Sequence, residues 1–524
     1  MSASKEKIRR QEVKASGVTP KVAREAEAKK ESKKVRTMAI VIAAVVVVLL
    51  AAALFINSKF VRRNLTALKI NDVNYTVTDC NYYYYSTYFN YLNTIYSSFG
   101  DSASSMLPDN SKPFGSQIYD EETGKTWAEF FDEMSIAAMQ DDAVILSEAR
   151  KAGYQLPQDE VDAMNQEIED LRANIGTYGS FSTLDDYLKS YYGNGMDEKS
   201  FRRVAEMKYM VDSYAEHVKD SYTYTPEEIE ANYQENSNSF DTFEYRYFLV
   251  YAEEVDETLY EGDDAGLEQA EKEAMEAALE KAVAYAESIH SEADMIAAAR
   301  DYNPATYAEK DSTYRSYRGE LLGSIYGDWL REEGREEGQV TTAETTTGYY
   351  VVYFISRNDN HYNTVNARIM TVLPEVVDES QYAEDEDSTA YDAAVQAAYD
   401  AAMSEAQGYY DTWTGSGATE DAFITLCNDS SDDQTNEDGL YENIYRTQFT
   451  GDVDAWLYDS ARKAGDHTVV SDGTNVYLIY FVGPGDLYSS VLSDNDLRTD
   501  EYNAWKESLA DPTVQKTWVY SLAE

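Results

Sequence analysis

The sequence predicts an α+β protein in which a single N-terminal membrane-spanning helix precedes an all-helical module and two tandem copies of a small β-α-α-α-β domain. Three observations carry that expectation. A run of 19 apolar residues, Met38 to Ile56, interrupts an otherwise charged N-terminal region. A long stretch beyond it places apolar residues at helical spacing between recognisable helix caps. Finally, a spaced signature occurs twice: Trp329-Leu330, Arg335, Gly338, Thr341, Tyr350 and Tyr353-Phe354 recur, each 127 positions on, as Trp456-Leu457, Arg462, Gly465, Thr468, Tyr477 and Tyr480-Phe481. The Tyr-Phe pairs close apolar, β-rich runs, so the repeat unit reads as a globular domain rather than a solenoid turn.

Taken in order, residues 1–37 form a basic tail with 12 Lys+Arg against 5 Asp+Glu. Residues 38–56 are about long enough at helical rise to cross a bilayer core. Positive flanks stay cytoplasmic, so the bulk of the chain is expected outside the cytoplasm, with a single pass through the cell membrane. A cleaved signal peptide is the competing reading, but the leader is longer than such peptides carry. No Cys follows the apolar run closely enough to accept a lipid. Residues 57–69 read as a short polar-basic stalk.

Ile70 to Val77 then suggests a small strand-turn-strand around Asn71-Asp72. Thr78 or Asp79 is expected to cap a long helix whose apolar stripe includes Tyr84, Tyr88, Tyr91, Leu92, Ile95 and Phe99. More helix is expected over 127–150, over a segment marked by Val161, Met164, Ile168 and Leu171, and over 184–219. Thr225-Pro226-Glu227-Glu228 supplies an N-cap, a Pro at the first helical position and a capping-box Glu. Residues 70–240 thus form the helical module.

The first repeat occupies 243–356, from a strand at Tyr245–Val250 through an Ala-rich helix (Gly266–Ser291), a second at Ala293–Arg300 and the Trp329 helix to a strand ending at Phe354. The second occupies 365–485, with a strand at Asn366–Leu373, a helix at Ala390–Trp413 and a closing strand ending at Phe481. Arg357 to Thr364 links them. Residues 486–524 form a C-terminal tail with one amphipathic helix over Asp494–Leu509.

The chain has 44 basic and 96 acidic residues, and the part beyond the span carries a net charge of −59. Such a surface repels nucleic acid and disfavours that class of partner. Cys80 and Cys427 fall in different domains, so no disulfide framework is expected. Tyrosine is abundant, 46 residues against 16 Phe, and supplies contact area with a polar tip. There is no phosphate loop, no His-Glu-x-x-His metal motif and no nucleophile elbow, so no cofactor or metal is expected. Gln434 to Tyr445 imitates a calcium loop at Asn436, Asp438 and Gly439, but Gln and Tyr at its first and last ligand places defeat that reading.

These residues resemble the parvulin-type peptidyl-prolyl isomerases and chaperones of the PrsA/SurA kind. The opening Ile70 to Thr78 followed by a long helix is similar to the start of their N-terminal chaperone domain. Gly153 to Asp241, with Leu188 to Gly193 and Thr225 to Ile229, is similar to the rest of it, and both repeats resemble parvulin domains. The resemblance implies a helical SurA-like chaperone module, two parvulin-like domains, and unfolded or partly folded exported polypeptides as partners. It also implies a pair of histidines, one on the first strand and one on the last, facing across a prolyl pocket. At those places this chain carries Tyr247 and Tyr350 in the first repeat, and Arg368 and Tyr477 in the second. The four histidines, at 217, 290, 361 and 467, lie elsewhere.

Isomerising X–Pro requires only that the amide's ~18–20 kcal/mol rotational barrier be lowered. A dry groove with hydrogen-bond donors can do this without a nucleophile. The leading expectation is a membrane-anchored extracytoplasmic folding factor whose isomerase activity is weak or lost. An active isomerase using Tyr247 and Tyr350, and a surface scaffold or adhesin, are the alternatives, and the oligomeric state stays open.

Overall fold

The computed structural model of the protein describes residues 3–15, 20–176, 179, 181–378, 382, 389–433 and 436–523. The chain divides into two compact units, Met1–Tyr222 with Glu501–Glu524, and Thr223–Asp500.

In the first unit, α1 (Ala3–Ala15) precedes α2 (Pro20–Ile56), and the 21 residues Arg36–Ile56 of α2 are apolar and long enough to cross a membrane. The predicted span is therefore the second half of a longer helix. Residues 57–69, expected as a stalk, are instead folded: α3 (Lys59–Asn64) is capped by Ser58 and buries Val61, and β1 (Thr66–Ile70) buries Ala67 and Leu68. Four basic residues among thirteen disguise this segment, because its apolar residues sit singly or in pairs between polar ones.

β1 pairs antiparallel with β2 (Val73–Thr76), through a turn in which Asn71 takes a φ of +51°. The N-cap of α4 (Val77–Phe99) is Thr76, earlier than Thr78 or Asp79, and Asp79 serves as the reciprocal partner of a capping box. The aromatic stripe of α4 is buried at Tyr84 and Tyr88 against Trp127 and Phe131, and it runs out into solvent at Phe99. A small hairpin, β3 (Ile118–Asp120) and β4 (Lys125–Thr126), leads into α5 (Trp127–Ala152). Next come α6 (Gln158–Ala173), α7 (Leu184–Tyr192) and α8 (Glu198–Asp220), the last two separated at Gly193 and Gly195, both with positive φ.

The second unit opens with α9 (Pro226–Phe240), capped by Thr225 and Glu228 as expected. This helix was placed in the helical module by sequence, yet Tyr233 and Phe240 pack with Tyr488 and Leu492. The first repeat then runs β5 (Thr242–Tyr251), α10 (Asp264–Ser288), α11 (Glu292–Tyr302), β6 (Tyr314–Arg318), α12 (Gly327–Arg331), β7 (Val340–Thr345) and β8 (Gly348–Asn358). Its antiparallel sheet has the order β6-β5-β8-β7.

The second repeat runs β9 (Asn363–Val372), α13 (Thr389–Gly415), α14 (Glu420–Ser430), β10 (Leu440–Ile444), α15 (Gly451–Leu457), β11 (His467–Ser471) and β12 (Val476–Leu487), with sheet order β10-β9-β12-β11. Each repeat is thus β-α-α-β-α-β-β with four strands, where the sequence reading had two. The missed strands are short and edge-placed, and polar sequences such as Tyr314-Arg-Ser-Tyr-Arg318 carry little apolar alternation.

The link between the repeats is short and held. Asn360 is buried at +56° φ and donates its Nδ2 to the Phe240 carbonyl at 2.8 Å, while Tyr233 donates its hydroxyl to the Asp359 carbonyl at 2.7 Å. Helix α16 (Tyr488–Ser508) follows, and β13 (Val514–Lys516) returns to pair with β1, completing the order β13-β1-β2. No sequence pattern announced that last strand, which is only three residues long.

Candidate functional site

The Trp, Arg and Gly positions of the duplicated signature make the same contacts in both copies. The Arg335 guanidinium lies 3.9 Å from the Trp329 ring centroid and its Nε donates to the Trp329 carbonyl at 3.0 Å; Arg462 does the same over Trp456 at 3.8 Å and 3.1 Å. Both Trp rings are half-buried, packed on one side against the core of their repeat and capped on the other by the cation. Gly338 and Gly465, at φ of +86° and +89°, donate to the Phe354 and Phe481 carbonyls at 3.0 and 2.9 Å. Glycine is needed there because the left-handed conformation crowds a Cβ against the backbone.

Each sheet has one face covered by its two longer helices and a second face covered by the short Trp-bearing helix. In the first repeat that second face holds Phe243, Tyr245, Val352 and Phe354, with Tyr247, Tyr326, Trp329 and Tyr350 at its margin. Tyr245 and Tyr247 share the face because side chains alternate along a strand. The candidate residues Tyr247 and Tyr350 meet edge to face with centroids 5.2 Å apart, and Tyr326, just before α12, touches both, at 5.7 and 5.3 Å. Tyr245 closes the set, its hydroxyl 3.4 Å from that of Tyr326.

Arg315, on β6, donates Nη2 to the Tyr247 hydroxyl at 3.2 Å with its guanidinium 4.8 Å from the ring. Burial pushes the phenol pKa of Tyr245, Tyr326 and Tyr350 above the ordinary value, so these hydroxyls stay protonated and available as donors. Sequence reasoning missed Tyr245, Tyr326 and Arg315. Tyr245 was accessible from the period-2 pattern, whereas Tyr326 and Arg315 are brought in by a loop and an edge strand that carry no pattern.

The second repeat does not bring its two candidates together. Arg368 lies on the helix-covered face, where Nε pairs with Glu420 Oε1 at 2.8 Å and Nη1 donates to the Asp438 carbonyl at 2.9 Å. Tyr477 lies on the opposite face among Ile369, Val453 and Leu457. The structural counterpart of Arg368 is Arg246, which makes the same bonds to Glu292 Oε1 at 2.7 Å and the Lys310 carbonyl at 2.8 Å. Matching Tyr247 to Arg368 was therefore a slip of one residue, and in a strand that moves a side chain to the other face.

The true counterpart of Tyr247 is Ile369, that of Tyr245 is Ala367, and that of Tyr326 is Val453. Tyr477 retains the position of Tyr350, but its hydroxyl is committed to Asp472 Oδ2 at 2.8 Å. Only the first repeat carries the tyrosine cluster.

Other candidates are inert or distant. Cys80 and Cys427 are both buried, and neither is in a disulfide. Burial pushes Cys427 up to about 12, which keeps it a thiol. Among the described residues no group of three or more His, Cys, Asp or Glu is placed to hold a metal ion. The stretch that imitates a calcium loop begins at Gln434, outside the described residues, and its Asp438 instead accepts from Asn428 at 2.8 Å. A cleft of 1030 Å³ opens at the far end of β5, between Tyr251, Glu253 and Glu271, and includes none of the four tyrosines.

No family model matches the chain, and no characterised protein sequence matches it. Among solved structures, the chain is similar to the peptidylprolyl isomerase PrsA of Bacillus anthracis, at 14% identity and a TM-score of 0.23, over 43% of this chain and 79% of that one. It is similar to the foldase protein PrsA of Streptococcus pneumoniae at 11% identity and a TM-score of 0.22, covering 45% and 77%. A SurA-like chaperone structure from Campylobacter jejuni follows at 16% identity and a TM-score of 0.16, covering 42% and 78%. These are low-identity, low-score likenesses, and they carry no substrate or activity over to this chain.

Proposed function

We propose that the protein is a membrane-anchored, extracytoplasmic folding factor of the PrsA/SurA kind, in which the helical module and the first repeat hold unfolded or partly folded polypeptides. The observation that carries this reading is the cluster of Tyr245, Tyr247, Tyr326 and Tyr350 on the sheet face of the first repeat, with Arg315 beside it. Tyrosines at the edge of such a face offer apolar area to a chain segment and hydroxyls to its carbonyls. The second repeat lacks three of the four and acts as an extension of the body, with isomerase activity weak or lost.

The test is a proline-limited refolding assay run beside an aggregation-suppression assay, with the full chain in non-denaturing detergent. Suppression without catalysis is the expected result. Neither activity would sink the reading and favour a surface scaffold instead. Catalysis of the slow phase would move the active-isomerase reading forward, because Tyr247 and Tyr350 do meet in this structure. In that case Tyr247→Phe with Tyr350→Phe should abolish the acceleration and leave suppression in place.

A further inference from the structure

We infer that the segment after the membrane span and the C-terminal end of the chain together form a face that lies on the outer surface of the bilayer, so that the first unit sits on the membrane rather than hanging from it. The inference rests on reading α2 as the anchor.

The connection out of the span is too short and too well bonded to act as a tether. Asn57 donates its Nδ2 to the Ala53 carbonyl at 2.9 Å, and Ser58 donates its hydroxyl to the Phe55 carbonyl at 2.6 Å while capping α3. Val61 then fixes α3 in the core of the module, fully buried. The Phe60 ring, on the side of α3 away from that core, is 57% exposed and lies 6.1 Å from the ring of Phe55 in the span itself. An aromatic ring held in solvent next to a lipid-facing phenylalanine is explained if both touch lipid.

The chain's other end arrives at the same place. After β13, a 3-10 turn over Trp518–Leu522 packs beside α3 and β1, where Arg62 Nη1 donates to the Leu522 carbonyl at 2.7 Å and Thr517 donates its hydroxyl to the Thr66 carbonyl at 2.7 Å. Val519 of that turn is buried, whereas Trp518 is 60% exposed. Tryptophan is the side chain best suited to the headgroup layer, with a large apolar ring and one N–H donor.

Charge separates this face from the remainder of the protein. Residues 57–70 hold Lys59, Arg62, Arg63 and Lys69 and no acidic residue, in a chain whose part beyond the span carries −59; Arg63 is ion-paired with Asp197 at 2.5 Å, so the positive charge of the face rests on Lys59, Arg62 and Lys69. Lys59 and Lys69 are exposed. A basic collar against a bilayer is attracted to anionic headgroups, while the acidic body is repelled outward. The aromatic pair, the short bonded exit and the local reversal of charge all name one occupant, an anionic lipid surface.

The test uses the full chain reconstituted in phosphatidylcholine–phosphatidylglycerol vesicles that contain lipids brominated high or deep on the acyl chain. The emission of Trp518 is read as the difference between the native chain and Trp518→Phe, an exposed position whose substitution leaves the core intact. The expected result is loss of that difference signal with shallow bromines, and its partial return when Lys59→Glu and Lys69→Glu are combined. An unquenched difference signal in a chain that floats with the vesicles overturns the docking inference and leaves the anchor standing. A chain that does not float overturns both.

Discussion

Arg335 and Arg462 recur in the repeated pattern for a structural reason. Each clamps a half-exposed Trp ring and bonds its carbonyl. Losing a cation–π contact and one net hydrogen bond costs about 1–2 kcal/mol. Arg335→Ala and Arg462→Ala should each lower stability by that amount in urea unfolding, without changing aggregation suppression. At Asp472, burial raises the carboxyl pKa, but hydrogen bonds from the Asn475 and Thr474 amides and the Tyr477 hydroxyl outweigh it and hold the group below the usual range. Its ionised form is therefore favoured by folding, and that contribution is complete above the ordinary carboxylate pKa of about 4 and is lost as pH falls through the lower folded value. Acid titration of stability should show this limb in the native chain and a shallower one in Asp472→Asn.

At the level of elements, strand register decides which residues meet. The positions of β5, β8, β9 and β12 were legible because apolar, β-branched residues concentrate there. Their faces were not, since Tyr247 and Arg368 stand one step apart in equivalent strands and a sequence alignment without the partner strand cannot feel that step. The start of α9 was readable to the residue from its Thr-Pro-Glu-Glu cap, whereas that of α4 was set two or three residues late because Thr76, Thr78 and Asp79 all offer a capping side chain. The edge strands β6, β7, β10 and β11 were not, because backbone pairing rather than side-chain burial holds them.

Arg246 and Arg368 provide the element-scale prediction. Each ties the first strand of its repeat to the start of the second helix and to a loop, but the carboxylates they pair with remain 45% and 38% exposed and would be solvated if the arginine were removed. The cost is then mainly lost packing and an orphaned carbonyl, about 2–4 kcal/mol, below the full penalty of an abandoned buried charge. Thermal unfolding of Arg246→Ala and Arg368→Ala should show losses of that order and of similar size in the two repeats.

At the scale of the molecule, the C-terminal residues are part of the N-terminal unit. β13 pairs with β1, and Thr513 donates its amide to Asn71 Oδ1 across 442 residues of sequence. Removing residues 510–524 should therefore destabilise the first unit and leave the second intact, so limited proteolysis should release a resistant core within 223–500. Synthesis runs from N-terminus to C-terminus, so β1 waits beside β2 with one edge bare while both repeats are made and folded. The strand that covers it is synthesised only after both repeats. Completion of the first unit thereby becomes a check on chain length: a product that stops early keeps an open sheet edge, and a quality-control protease that recognises exposed strands has a mark by which to find it.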